Sequence, residues 1–170
     1  MTHPTTQPTR QLLLAAIVLA GYALTCLFGA TTGAAALEAS SKIVARIGHL
    51  EVIDPFLPDP ASPSVAAIYL TVKNTGSRAD ALVAVSSPVS SDSMLMTENG
   101  NDSSMAVLTE LKIPAHGEAS LKPGHDHLML EQPRVQFKVG KTVLVTLRFE
   151  RSGTLTLAVP IVPLSRILGG

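Results

Sequence analysis

Short segments of alternating apolar and polar residues follow one another from residue 47 to residue 162, with turn-forming residues between them. The clearest segments, 65–74, 142–150 and 154–159, are also rich in β-branched residues, which favour strands. Weaker segments of the same kind lie at 47–52, 81–85, 92–97, 105–111, 118–121 and 127–130. Because no amphipathic helix pattern follows residue 37, the chain is predicted to be all-β, an antiparallel Greek-key β-sandwich of the Ig-like type.

Two stretches are predicted to lie between strands. Four prolines between residues 55 and 63 exclude a helix and indicate an extended loop. Residues 98–104 are polar and contain Asn99-Gly100, which is a strong signal for a hairpin turn. The predicted domain organisation after the N-terminal region is a spacer at 37–46, a β-sandwich domain at 47–162 and a tail at 163–170 without assigned structure.

The N-terminal region has the pattern of an export signal. Arg10 is followed by an uncharged, mainly apolar stretch that continues to Leu37. Residues 1–36 are therefore predicted to be a signal peptide, cleaved after Ala36, or an apolar helix that is retained as a membrane anchor. A third alternative is lipid attachment at Cys26, although the residues before it match a lipobox poorly. Each alternative places the domain outside the cytoplasm, in the periplasm or the cell envelope.

Composition and charge exclude several classes of protein. Lys+Arg and Asp+Glu number 13 each, so the chain lacks the positive charge that nucleic-acid binding needs. There is no Trp and aromatic residues make up only 4%, which argues against a base-stacking surface. Cys26 is the only cysteine, so the domain that follows it has neither a disulfide nor a thiolate ligand. The sequence also has no Gly-x-Ser-x-Gly motif, and no enzyme is predicted.

Methionine and histidine are concentrated in one part of the domain. Apart from Met1, all the methionines lie within residues 94–129, where three of the five histidines also lie: Met94, Met96, Met105, Met129, His116, His125 and His127. Core packing gives no reason for such clustering. Thioether sulfur and imidazole suit Cu(I) far better than Zn(II), Mg(II) or Ca(II), and thioethers are not lost to disulfide formation outside the cytoplasm. The cluster therefore predicts a Cu(I) site, in which residues two apart on a strand share one face.

The spacing of these residues resembles that of the copper chaperones called PCuAC. That family carries a His, ten residues, a Met, twenty-one residues and then His-x-Met. In this chain Met105 is followed after twenty-one residues by His127-Leu128-Met129, and Met94 stands where the family has its first His. The flanking text is also similar, so the resemblance covers roughly residues 50–160. The similar flanking segments are 65–76, 81–88, 113–124 and 145–160.

The resemblance implies a cupredoxin-like β-sandwich that binds Cu(I) near its surface and passes it to an acceptor such as the copper centre of cytochrome oxidase. The ligands that it implies are Met94, Met105, His127 and Met129, with Met96 and His125 as further candidates. Met94 in place of the family's His is expected to preserve Cu(I) binding and weaken Cu(II) binding, or else to mark a member that has lost copper. A blue-copper electron-transfer site is excluded because it needs a Cys thiolate.

The other histidines have simpler explanations. His116, in a Pro-Ala-His-Gly segment, is expected to be a turn residue, and His49 is expected to be structural or exposed. His125 could share a face with His127 if their strand extends back that far; otherwise it is a solvated turn residue. The alternative function is a membrane-tethered Ig-like interaction module that has lost copper and uses its methionines as an apolar contact surface. Stoichiometric copper binding distinguishes the two hypotheses.

Overall fold

The computed structural model of this chain describes residues 42–99 and 104–168. These residues form a nearly all-β structure, so the predicted fold class is confirmed. Its elements are β1 (Ile43–Ile47), β2 (Leu50–Pro58), β3 (Val65–Asn74), β4 (Asp80–Ser86), β5 (Ser90–Asn99), β6 (Ser104–Leu108), β7 (Leu111–Ile113), β8 (Glu118–Leu121), β9 (His127–Pro133), β10 (Thr142–Phe149), β11 (Gly153–Val162) and the short helix α1 (Ser165–Leu168). The predicted export segment, residues 1–36, lies outside the described residues. Within 42–99 and 104–168, no helix has the length and apolar character needed to cross a membrane.

The strands form one hydrogen-bonded path in the order β6-β5-β9-β3-β2-β11-β10-β4-β7, with β1 added to β2 and β8 added to β3. Among the described pairs only β2 and β11 run parallel, and the others are antiparallel. The path folds back on itself, because Leu128 and Leu130 of β9 share one apolar core with Val145 and Leu147 of β10. The result is a sandwich with a single core between its two layers.

Alternation along the strands decides which side chains face away from this core. Leu128 and Leu130 of β9 are completely buried in the core. His127 and Met129 must then point to the opposite face, because successive side chains of a strand alternate. In β5 the buried Leu95 likewise leaves its neighbours, Met94 and Met96, on that outer face. The core thus determines the face on which the methionines and His127 lie.

The first strand begins earlier than the sequence predicts. β1 occupies Ile43–Ile47, most of which was assigned to the spacer. A turn at Gly48 and His49, with Gly48 at a φ of 56°, returns the chain so that Ile47 pairs with Leu50 of β2. β1 is mostly exposed and its alternation is correspondingly weak, which explains why the pattern alone does not reveal it.

The proline-rich segment is also partly strand. β2 continues to Pro58, so the prediction of a loop from residue 55 onwards is wrong at its start. The register between β2 and β3 shifts between Ile53 and Phe56, and Asp54 within the shift has a positive φ of 45°. Pro55 lies in this bulge, where its missing N–H is not required by the ladder.

The single strand predicted at 105–111 is in fact two. Leu108 at the end of β6 pairs with Leu95 of β5, whereas Leu111 at the start of β7 pairs with Leu82 of β4. The chain therefore passes from one layer to the other between them, a change of partner that periodicity does not reveal. The hairpin predicted around Asn99-Gly100 is consistent with the direct pairing of Asn99 and Ser104, although residues 100–103 lie outside the described part of the chain.

Candidate metal centre

Two cross-strand pairs on the outer face bring the predicted site residues together. Met94 of β5 lies directly opposite Met129 of β9, and Met96 lies directly opposite His127. Opposed residues of antiparallel strands have Cβ atoms about 4.5–5.5 Å apart, and diagonal neighbours are about 7–8 Å apart. The four side chains consequently form a compact patch, two residues wide and two residues long. We call this set the Met/His patch.

The pair formed by Met96 and His127 is the more enclosed half of the patch. Val107 of β6 lies opposite Met96 on its other side. The ring of Tyr69, on β3, packs against the ring of His127 with 6.3 Å between centroids. Met96, His127 and Tyr69 are only 8%, 4% and 9% exposed, although they point away from the main core. Their burial shows that these outer side chains cover one another.

The orientation of the His127 ring is fixed by a hydrogen bond. Its Nδ1 lies 3.0 Å from the backbone carbonyl oxygen of His125. Because a carbonyl oxygen can only accept, Nδ1 carries the proton and donates it. In the neutral ring Nε2 then keeps its lone pair, which is the state in which imidazole binds a metal.

An aromatic stack lies behind His127. The ring of Phe56 on β2 lies 5.4 Å from that of Tyr69, and the guanidinium group of Arg166 on α1 lies 4.5 Å from the centre of the Phe56 ring. Burial raises the pKa of Tyr69, and the negative charge of Glu98 raises it further. The phenol is therefore neutral at ordinary pH, and the carboxylate of Glu98 lies close enough to influence it. The sequence alone does not single out Tyr69, because a tyrosine on a strand is usually only part of the packing.

Met105 lies at the margin of the patch. It is on β6 opposite Glu98, so it shares the outer face with Met96 but is diagonal to it. Its side chain is 53% exposed. The sequence motif places Met105 and His127 among the main candidate ligands and Met96 only among the further candidates. In the structure Met96 lies between Val107 and His127, whereas Met105 lies on the edge strand β6.

The other histidines of the described residues lie in turns. β9 begins at His127, so His125 is not on the strand; it is exposed in a turn, where its N–H donates to the carbonyl of Lys122 over 3.1 Å. His116 is an exposed turn residue with a φ of 52°. His49 is also exposed, and its side chain packs against Gly76. His125 contributes its backbone carbonyl to the patch, where it holds the ring of His127.

The chemistry of the patch is that of soft, neutral donors. In the described part of the chain, no group of three or more His, Cys, Asp or Glu side chains is placed to hold a metal ion. The patch instead offers thioether sulfurs and one imidazole nitrogen, a combination that favours Cu(I) over harder divalent ions. The thioethers do not lose a proton when a metal binds, and Nε2 of His127 offers its lone pair while Nδ1 keeps its proton.

Comparison with known sequences identifies relatives. A family model described as "Putative lipoprotein LpqE-like" matches residues 50–161. A protein of Leifsonia xyli subsp. xyli, named "Putative lipoprotein Lxx21020", is 30% identical over 138 residues, which are 79% of this chain and 83% of that protein.

Comparison with solved structures identifies similar folds. The apo PCuAC domain from PmoF1 has a TM-score of 0.63 and 26% identity, and the match covers 71% of this chain and 98% of that domain. The Cu(I) form of DR1885 from Deinococcus radiodurans has a TM-score of 0.56 and 28% identity, covering 70% of this chain and 80% of DR1885. Neither protein is named as an enzyme.

Proposed function

This chain belongs to the LpqE-like family, and we propose that it is an exported protein that holds one Cu(I) ion and delivers it to an extracytoplasmic cuproprotein such as cytochrome oxidase. The observation that carries the proposal is the pairing of Met94 with Met129 and of Met96 with His127 on one face. The similarity to PCuAC domains, and to a protein solved in its Cu(I) form at 28% identity, supports copper as the cargo.

We assign Nε2 of His127 to the ligand set, together with sulfurs drawn from Met94, Met96 and Met129 of the patch and from Met105 on the edge strand. Each is a neutral donor of the kind that Cu(I) prefers. The hydrogen bond from Nδ1 to the His125 carbonyl presents Nε2 as the metal-binding nitrogen of His127. Cu(II) prefers imidazole and oxygen donors, so its binding should be weaker.

Delivery follows from the same ligand chemistry. Thioethers need no reprotonation when the metal leaves, so transfer to an acceptor is not tied to proton uptake at the sulfur ligands. Met105 is the most exposed of the ligands assigned here and would be the first that an acceptor can displace. Mixing the Cu(I)-loaded chain with a copper-depleted acceptor tests this step, and no gain of copper by any such acceptor would refute delivery.

The family description supports an exported envelope protein. Attachment of lipid in a lipoprotein requires a cysteine, and Cys26 is the only one in the sequence. We propose that Cys26 carries the lipid. Mass spectrometry of the membrane-extracted protein should show a lipid adduct on Cys26, and Cys26→Ser should remove it. An N-terminus cleaved near residue 36, with no lipid, would contradict lipid attachment but leave export intact.

Copper binding is tested by an anaerobic Cu(I) competition titration of the full chain in detergent. One tightly held Cu(I) per chain is expected for the wild type and for His116→Ala, a control in an exposed turn away from the patch. The double variant Met105→Ala/His127→Ala should lose this binding. Equal binding by the double variant would refute the assigned site.

Tyr69 provides a second readout that does not depend on a chelator. The chain has no Trp and only two tyrosines, Tyr22 and Tyr69, so in a Tyr22→Phe background the intrinsic fluorescence comes from Tyr69 alone. Because the Tyr69 ring contacts the ring of His127, copper at His127 should change that fluorescence, with an end point at one equivalent.

The second candidate function is an interaction module without copper. It is favoured by one observation: Met105 and Val107, which are 53% and 62% exposed, leave an apolar surface on edge strand β6. If the titration detects no copper binding above that of the double variant, the interaction module becomes the better supported function.

A further inference from the structure

The sulfurs of the patch and of Met105 at its margin differ sharply in their accessibility. Met105 is 53% exposed, whereas Met96 is 8% exposed. Met94 and Met129, which face each other, are partly buried. Oxidation of a thioether requires an oxidant to reach the sulfur, so exposure determines which methionine reacts first.

The position of Met105 in the sheet leaves its sulfur open on one side. β6 is the terminal strand of the sheet path and pairs with β5 alone among the described strands. The residue opposite Met105 is Glu98, which makes no ion pair with any Lys, Arg or His of the described residues. Attack by peroxide places partial positive charge on the sulfur, and a nearby carboxylate favours this charge. Residues 37–170 contain no cysteine that would compete for the oxidant.

We propose that Met105 is an oxidation site, at which a hydroperoxide converts the thioether to a sulfoxide and thereby weakens Cu(I) binding. In this reaction a sulfur lone pair attacks the terminal peroxide oxygen, an S–O bond forms, the O–O bond breaks, and the proton of the attacked oxygen passes to the leaving oxygen. The sulfur loses two electrons and the peroxide is reduced, leaving as water or as an alcohol. The selectivity for Met105 does not depend on copper, whereas the effect on binding rests on the proposed function.

The effect on copper follows from the change of donor. A sulfoxide is polar and offers oxygen as its most available donor, which suits Cu(I) poorly. The affinity for Cu(I) should therefore fall by about 10-fold when Met105 is oxidised, equivalent to about 1.4 kcal/mol.

The first experiment measures selectivity on the copper-free full chain. The chain is treated with hydrogen peroxide, quenched at intervals and cut with a protease that cleaves after glutamate. Cleavage after Glu98 and Glu110 places Met105 alone on one peptide, separate from the peptide that contains Met94 and Met96. The oxygen adduct should form on Met105 at least about 10-fold faster than on Met96. Equal rates, or earlier oxidation of Met96, would overturn the selectivity.

The second experiment measures the consequence. The affinity for Cu(I) should fall after brief peroxide treatment and recover when a methionine sulfoxide reductase and dithiothreitol are added. The Met105→Leu chain should have the same affinity before and after treatment, whereas Met94→Leu, a matched substitution within the patch, should remain sensitive. Selective oxidation of Met105 with unchanged affinity would overturn the effect on copper. If the untreated chain binds no copper at all, the proposed function is refuted. The first experiment then still decides whether Met105 is oxidised before Met96.

Discussion

Replacing Met96 tests whether its sulfur binds copper or only fills space. Met96 is 8% exposed and lies between His127 and Val107, and it is not a member of the main core cluster. A Leu at this position retains nearly the same volume, so Met96→Leu should lower the free energy of unfolding by less than about 1.5 kcal/mol. Met96→Ala leaves a cavity, and the loss should be near the lower end of the usual range, about 2 kcal/mol.

Both variants lose the same sulfur. If that sulfur is a ligand, both variants should bind Cu(I) at least about 10-fold more weakly. Even the mutation of a residue that only holds a metal ligand in place typically weakens metal binding by about this factor. The affinities are measured by competition with a Cu(I) chelator, and the unfolding free energies by urea denaturation of the copper-free chains. Wild-type affinity in Met96→Leu would refute the assignment of Met96 as a ligand. A loss of affinity only in Met96→Ala would show that packing, not sulfur, is what Met96 contributes.

Three further predictions concern other parts of the fold. Burial tends to raise the pKa of Asp80, but hydrogen bonds from the Ser152 hydroxyl and from three backbone N–H groups lower it overall from 3.8. The stability that these hydrogen bonds provide should be complete above about pH 5 and be lost as the pH falls towards the lowered pKa. Urea denaturation across pH 2–7 should show that Asp80→Asn removes this pH dependence. A Cβ added at Gly76 would lie 2.9 Å from Cβ and Cγ of His49, so Gly76→Ala should cost about 1–3 kcal/mol in thermal unfolding, partly recovered by His49→Ala. The ¹⁵N NMR spectrum of the neutral, copper-free chain should place the His127 proton on Nδ1, and a proton on Nε2 would contradict the assigned ligand atom.

The sequence predicts most of the strands because one face of each is buried. The segment 65–74 alternates strongly and coincides with β3, Val65–Asn74. Alternation cannot indicate which strand a segment pairs with, and so the sequence does not separate β6 from β7. It also does not indicate that a bulge allows Pro55 to lie within β2, because the bulge depends on the partner strand.

Composition and spacing are sufficient to identify the residues of the patch. The resemblance to PCuAC that the spacing indicates is confirmed by the family model and by the similar solved structures. The relative placement of the patch residues was not recoverable, since it depends on register. Met96 becomes central only when β5 and β9 are aligned so that it lies opposite His127. Tyr69 comes from a strand far away in sequence, and no local pattern connects it to the methionines.

We propose that the outer face of β5 and β9 holds one Cu(I) through sulfur and imidazole. X-ray absorption at the copper K-edge of the full chain loaded with one equivalent of Cu(I) tests it most directly. We expect a Cu(I) edge, a first shell dominated by sulfur and a contribution from a single imidazole, which disappears in His127→Ala. A shell made only of nitrogen and oxygen, or one that is unchanged in His127→Ala, would contradict it.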